Sequence, residues 1–331
     1  MKKYAIIGFG GLGKVHFLNF LKLEKERKDI ALAAICNADL EAITKSMELN
    51  ITSVSMEGID FSKYHLYTDY KEMIEKEELD FVIVTLPSFL HAEVCVYCME
   101  QGLDVYTEKP MAITPEQCKL MLSTAERTGR RMMVGQCLRF TDEYIFLKEA
   151  IQNQNYGRVV KAEFFRKSPV PGWSAGNWLL DETKSGGCIV DLHVHDVDMM
   201  LWLFGKPESS CVKTSHQMTA FESVFSLYTY PDFFVSIISD WGIHGSFTFS
   251  YGYAVTFENA YVECKNGEVW VYAHEEKNKI DLPGEDAMMR EIREFVGGVV
   301  DGKPFMTADL SSVAETMEQV FLEKYGKEAN Q

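Results

Sequence analysis

The densest group of proton-transferring side chains is Asp191-Leu192-His193-Val194-His195-Asp196-Val197-Asp198, which follows the apolar run Gly186-Gly187-Cys188-Ile189-Val190. Gly205 and Pro207 close what reads as a helix. On one helix Asp191 and His195 are four apart and share a face, with Asp198 three further on. A carboxylate beside an imidazole orients the ring and raises its pKa, which suits general acid–base catalysis. His193 points elsewhere, about 200° round the helix from His195. Two other readings stay open. His-x-His with nearby Asp is also a pattern of metal hydrolases, and a buried His paired with Asp can serve structure alone. Helical geometry disfavours a metal, because i and i+2 side chains do not converge. No metal ligand set is expected.

A second chemical element is the loop Ile6-Ile7-Gly8-Phe9-Gly10-Gly11-Leu12-Gly13, where Gly8, Gly10 and Gly13 fit G-x-G-x-x-G between a strand and a helix. The first glycine permits a tight turn, the second lets backbone approach a pyrophosphate, and the third lets helix pack on strand. Phosphates then sit at the helix N-terminus. The second strand should end in an acid that holds the ribose hydroxyls. Here it ends at Asn37, whose amide can still bond a hydroxyl, with Asp39 two residues later. No Arg follows closely to receive a 2′-phosphate, so NAD is expected, with NADP as the alternative. Glu108-Lys109-Pro110 follows a strand ending near Thr107, at the carboxyl edge of the parallel sheet where ligands bind. A Lys there can bond a substrate hydroxyl and favour negative charge on its oxygen. By itself an edge Lys is more often a solvated charge.

The elements that carry these groups fall into two patterns. Strands at Tyr4–Ile7, Ile30–Ile35, Phe81–Thr85, Asp104–Thr107 and Arg131–Gly135 alternate with helices from about Leu12, from His91 to Gly102, and from Thr114 to Gly129. In the first helix Leu12, Val15, Leu18 and Leu21 form the expected apolar stripe. Thr114-Pro115-Glu116-Gln117 is a capping box with proline at the first helical position. Such alternation predicts a doubly wound parallel sheet. After a helix over about Asp142–Asn155 the pattern turns to consecutive strands, from Ser209 to Ile280, with a hairpin at Asn266-Gly267 and a turn at Tyr230-Pro231-Asp232. That predicts an antiparallel sheet. Helices return at about Asp286–Val300 and Asp309–Tyr325. The fold class is α/β followed by α+β: a dinucleotide-binding domain over 1–138, then a substrate-binding and oligomerisation domain over 139–331, whose last helices can pack back on the first domain.

Composition sets the outer limits. The 331 residues, 47% hydrophobic and 25% charged, fit a two-domain globular chain. A formal charge of −16, without a Lys/Arg run, argues against nucleic acid or anionic membrane as partner. No apolar run approaches the roughly 18 residues of a membrane span. The N-terminus reads as a mature cytosolic start, so a cytoplasmic location is expected. The 8 cysteines are scattered and do not form a disulfide framework. Cys95 and Cys98 form C-x-x-C, but inside an apolar helical run rather than at a helix N-terminus, so they read as core.

The chain resembles the glucose–fructose oxidoreductase, inositol dehydrogenase and MocA (Gfo/Idh/MocA) family. The likeness runs through GFGGLGKVH at 8–16, TLPSFLHAE at 85–93, EKPMA at 108–112, LRF at 138–140, NWLLDETKSGGCIVDLHVHDVD at 177–198 and GKP at 302–304. It implies an N-terminal Rossmann domain, a C-terminal open-faced antiparallel sheet, and NAD(P)-dependent oxidation or reduction of sugars, cyclitols and related polyols. It matches the family's catalytic Lys to Lys109 and its Asp and His to Asp191 and His195. His193 departs from the family's usual Gly, Ser185 from a third Gly, and Asn37 from the usual Asp. The resemblance further implies cofactor contacts from Gly8, Gly10, Gly11, Leu12, Gly13, Asn37, Thr85, Pro87, His91, Glu108 and Lys109. The expected substrate contacts are Lys109, Arg139, Trp173, Trp178, Asp191 and His195, with Asn177 beside the tryptophans. A homodimer or homotetramer is expected, because strands such as Ala260–Cys264 and Phe233–Ile238 carry apolar residues on both faces. The rival class is a non-catalytic NAD(P)- and sugar-binding regulator of the same fold; the intact Lys109, Asp191 and His195 set argues against it.

Overall fold

A computed structural model describes residues 1–48 and 53–326. The described residues divide into two compact units, one within 1–135 with 288–314, and one of 136–287 with 315–326.

The first unit is built on β1 (Lys2–Ile7), β2 (Ile30–Cys36), β5 (His65–Tyr67), β6 (Phe81–Val84), β7 (Asp104–Glu108) and β8 (Met132–Gly135), after a small β3 (Met47–Glu48) and β4 (Ser53–Val54) pair. The 6-stranded sheet has the order β5-β2-β1-β6-β7-β8, parallel throughout. Its direction of build reverses between β1 and β6, the place where open α/β sheets bind ligands. Helices α1 (Gly11–Glu26), α2 (Tyr70–Lys76), α3 (His91–Glu100) and α4 (Pro115–Thr128) connect the strands.

The α1 stripe differs from the expected one. Gly13, His16, Phe17, Phe20 and Leu23 are buried, whereas Leu12 is exposed and Val15, Leu18 and Leu21 are half-buried. Residues spaced strictly by three drift about 60° per step, so they cannot hold one face; spacings of three and four can. At α4 the cap is as expected: Thr114 Oγ1 accepts from Gln117 N–H at 3.3 Å, and Gly129 ends the helix at φ 64°. Gln117 Oε1 reaches one residue further back than a capping box, to Ile113 N–H at 3.2 Å. Helix α9 (Ala287–Asp301) also belongs to this unit from Met288 on, with the Phe295 ring against Phe81 and Tyr106.

The second unit has an 8-stranded sheet in the order β10-β11-β12-β9-β13-β14-β15-β16. These are β9 (Val159–Pro169), β10 (Ser209–Ser215), β11 (Ser223–Thr229), β12 (Phe234–Ile243), β13 (Ser250–Phe257), β14 (Tyr261–Lys265), β15 (Glu268–Ala273) and β16 (Glu276–Lys279). Only the β12–β9 pair is parallel. The Asn266-Gly267 hairpin has both residues at positive φ, 50° and 85°. The central strand β9 was not foreseen. Its inward positions Ala162, Phe164, Arg166 and Ser168 include two polar residues, so its sequence lacks clean apolar alternation. Helices α5 (Asp142–Gln152), α6 (Glu182–Ser185), α7 (Cys188–Asp191), α8 (Val194–Phe204) and α10 (Leu310–Tyr325) accompany the sheet. The single helix expected over the acid–base cluster is broken at Leu192–His193 into α7 and α8. Among the described residues no helix is long and apolar enough to cross a membrane.

Candidate active site

The glycine loop is tight on its inner side and open on the other. A Cβ on Gly8 would lie 2.8 Å from Thr85 O, and one on Gly13 would lie 2.2 Å from Gly8 O. A Cβ on Gly10 meets nothing within 4 Å. Helix α1 makes its first backbone bond from Lys14 N–H to Gly10 O, so the amides of Gly11, Leu12 and Gly13 lie ahead of it. No acidic residue occupies that first turn. Open space before an uncharged helix N-terminus fits a dinucleotide pyrophosphate. Thr85 Oγ1 donates to Gly8 O at 2.5 Å and ties the end of β6 to the loop. Asn37 Oδ1 accepts from Phe9 N–H at 2.9 Å and its Nδ2 donates to Asp39 O at 2.6 Å. One lone pair of the amide oxygen is left for a hydroxyl donor.

Lys109 follows β7 and is half-buried. Its neighbours in the motif turn inward. Glu108 Oε1 lies 2.5 Å from His16 Nε2, so this carboxylate serves α1 rather than an open pocket. His91, expected near the cofactor, is buried with Nδ1 2.8 Å from Pro110 O and Nε2 2.8 Å from Leu86 O. Its ring clips together the loops after β6 and β7. Burial holds its pKa below the ordinary imidazole value, against the pull of the two carbonyls and Glu108. Pro87 is half-buried in the first of these loops.

In the second unit the cluster 191–198 separates into two kinds of residue. Asp196 is fully buried and accepts from Arg166 Nε and Nη2 at 3.0 and 3.1 Å. Asp198 accepts from Arg139 Nε and Nη2 at 2.8 and 2.6 Å, and from Thr316 Oγ1 at 2.8 Å. His193 is buried between Ser239 and Glu323. Asp191 and His195 alone among the acids and histidines of this stretch are half-buried rather than sealed. They lie at the end of α7 and in the first turn of α8, joined by the turn through His193.

Arg139 was expected at the substrate. It is 2% exposed, and its fork is spent on Asp198. Trp173 is exposed, Asn177 exposed at φ 53° and Trp178 half-buried, in the segment between β9 and α6. Cys95 and Cys98 are fully buried, with burial pushing the Cys95 thiol up to about 12. Sequence reasoning missed the partners Arg166 and Glu323. Arg166 was within reach, since it shares the inward parity of Ala162 and Phe164 in β9; Glu323 carries no local signal. Among the described residues no group of three His, Cys, Asp or Glu is placed to hold a metal ion.

Residues 2–136 match the family model described as the oxidoreductase family with NAD-binding Rossmann fold, and residues 144–270 match the GFO/IDH/MocA C-terminal domain. The chain belongs to the Gfo/Idh/MocA family. An inositol 2-dehydrogenase of Salmonella typhimurium is 24% identical over 267 residues, covering 76% of this chain and 73% of that protein. A D-glucoside 3-dehydrogenase of Escherichia coli is 29% identical over 208 residues, 62% of this chain and 54% of its own. The structure of a UDP-N-acetylglucosamine 3-dehydrogenase from Acidithiobacillus ferrooxidans superposes with a TM-score of 0.76, covering 99% of this chain and 98% of that one at 17% identity. An NAD-binding protein from Listeria innocua gives 0.77, covering 100% and 96% at 17% identity. At such identity these structures establish the fold alone. As a Gfo/Idh/MocA member the chain is an oxidoreductase with a nicotinamide cofactor, and the open cradle at Gly10 is compatible with that cofactor.

Proposed function

We propose that this family member transfers hydride between the nicotinamide and a secondary alcohol or ketone of a sugar, cyclitol or related polyol. One observation carries the reading. Within 191–198 Asp196, Asp198 and His193 are sealed in the core against Arg166, Arg139 and Glu323, while Asp191 and His195 are half-buried. Relatives named as inositol and glucoside dehydrogenases favour the same substrate class.

The bound dinucleotide supplies the hydride acceptor or donor. His195 takes the hydroxyl proton in oxidation and returns it in reduction. Asp191 orients His195 or bonds a neighbouring hydroxyl. Lys109 positions the reacting oxygen and stabilises its charge. Gly8, Gly10, Gly11, Leu12 and Gly13 seat the pyrophosphate, Asn37 bonds the adenosine ribose, and Thr85 and Pro87 line the cofactor loop. NAD is the favoured form, because no Arg follows Asn37 closely. Trp173, Asn177 and Trp178 offer a wall to the sugar, the aromatic faces packing on its C–H surfaces. The protein works as a homodimer or homotetramer joined through the outer face of the second unit's sheet, where Phe225, Leu227, Phe234 and Tyr261 are exposed.

The test is turnover with a panel of sugars, inositols and their keto forms, read as absorbance change at the reduced-nicotinamide band. A substrate in this panel is expected. Cofactor binding with no turnover on any polyol would favour a ligand-binding regulator instead.

A further inference from the structure

His193 stands at the one place where the two site-bearing helices join. Its N–H donates to Cys188 O at 2.8 Å and so closes α7. Its C=O accepts from Asp196 and Val197 N–H, both at 3.1 Å, and so opens α8. Asp191 lies two residues before it and His195 two residues after. The orientation of this one backbone unit therefore governs both.

Its side chain is held from several elements. Nδ1 is 2.9 Å from Ser239 Oγ on β12, and Nε2 is 2.9 Å from Glu323 Oε2 on α10. The same Oε2 accepts from Ser226 Oγ at 3.0 Å, and Oε1 accepts from Tyr228 OH at 2.6 Å and Gln319 Nε2 at 2.8 Å. His193, Glu323, Ser226, Ser239 and Tyr228 are all buried. Glu323 is an acceptor, so Nε2 carries the hydrogen; the Ser239 hydroxyl can serve Nδ1 in either protonation state.

A buried hydrogen-bonded pair is a poor device for stability alone, because replacing both partners by apolar groups of the same shape can be nearly neutral. Its geometry, however, is directional and rigid once every member is satisfied. We propose that His193 is a positioning residue: bound to Glu323, it fixes the α7–α8 turn and thereby the placement of Asp191 and His195. This rests on the proposed acid–base role of that pair.

The decisive variant is His193→Leu combined with Glu323→Leu, which removes both hydrogen-bonding partners and keeps an apolar filling. It is compared with wild type and His193→Gln. The first readout needs no turnover: the NMR titration of the His195 imidazole, assigned by its loss in His195→Gln. The second is kcat, KM and cofactor affinity. A positioning role predicts a folded double variant with a displaced His195 titration and a kcat lower by about 10²-fold, since small misplacements of a catalytic group have effects of that size. Cofactor affinity is expected to stay at the wild-type value. A folded double variant with wild-type titration and wild-type kcat overturns the proposal. If the double variant does not fold, His193→Gln decides. It reaches the same partners through a more flexible side chain, and faster amide exchange over residues 188–197 with a displaced titration is expected. Wild-type values in both would overturn the proposal. Loss of activity in the double variant together with full activity in His195→Ala would refute the acid–base reading instead, while the titration still reports on His193.

Discussion

Glu108 and His16 form a buried pair, Oε1 to Nε2 at 2.5 Å, that ties the residue before Lys109 to the helix following the glycine loop. Removing one partner leaves a polar or charged group sealed in the core. Glu108→Ala is therefore expected to lower the unfolding free energy by about 1–3 kcal/mol. Glu108→Gln, which keeps a hydrogen-bonding oxygen, should lose less. Urea denaturation followed by fluorescence checks both, and equal losses would show that the pairing is not what matters.

Gly10 and Gly13 are expected to fail in different ways. Gly10→Val places its side chain in open space, so the protein should fold and lose cofactor affinity by calorimetry. Gly13→Ala drives a Cβ to 2.2 Å from Gly8 O, so it should lower the melting temperature even without cofactor. Undiminished binding by Gly10→Val would remove the loop from the cofactor site.

His195→Ala should cut turnover on the true substrate by about 10²–10⁴-fold with little change in cofactor affinity. Lys109→Ala should do likewise with some loss of substrate affinity. The pH–rate profile should also lose its near-neutral limb in the His195 variant. Near-wild-type turnover by His195→Ala would make Lys109 the leading base.

Glu222 predicts an acid-sensitive loop. Its carboxylate accepts from Ser215 Oγ and from the N–H groups of Gln217, Met218 and Thr219. Burial acts to raise its pKa, but these donors outweigh it and hold the group at about 2, against 4.5 ordinarily. The unfolded chain binds the proton first as pH falls. Stability from this carboxylate is thus complete above pH 4.5 and is lost as pH falls toward about 2. The gap in urea midpoint between wild type and Glu222→Gln should narrow through that window. A constant gap would contradict it.

The outer sheet face should hold the oligomer together. Light scattering at micromolar concentration is expected to show a dimer or tetramer. Phe225→Lys with Phe234→Lys should yield a folded monomer, since both side chains are exposed on adjacent strands, where Phe225 pairs with Ile238 and Phe234 with Thr229. A wild-type monomer would refute this assembly.

Much of the first unit was readable because its signals are local. The glycine spacing, the Thr114 cap and the Gly129 stop each act within a few residues, and buried parallel strands announce themselves as apolar runs. The Asn266-Gly267 hairpin is legible for the same reason, as both residues accept positive φ. Asp191 and His195 stand out by their spacing, whereas Lys109 is marked as a candidate by the family resemblance. Which acids of 191–198 are structural could not be read there. That depends on Arg166, Arg139 and Glu323, which lie 30, 59 and 130 residues from Asp196, Asp198 and His193. The break between α7 and α8 was hidden too, because nothing in Leu192–His193 forbids a helix; the buried partners of His193 lie on β12 and α10. Local sequence sets what a segment can become, whereas the neutralisation of a buried charge is decided by whatever distant strand or helix the fold packs against it.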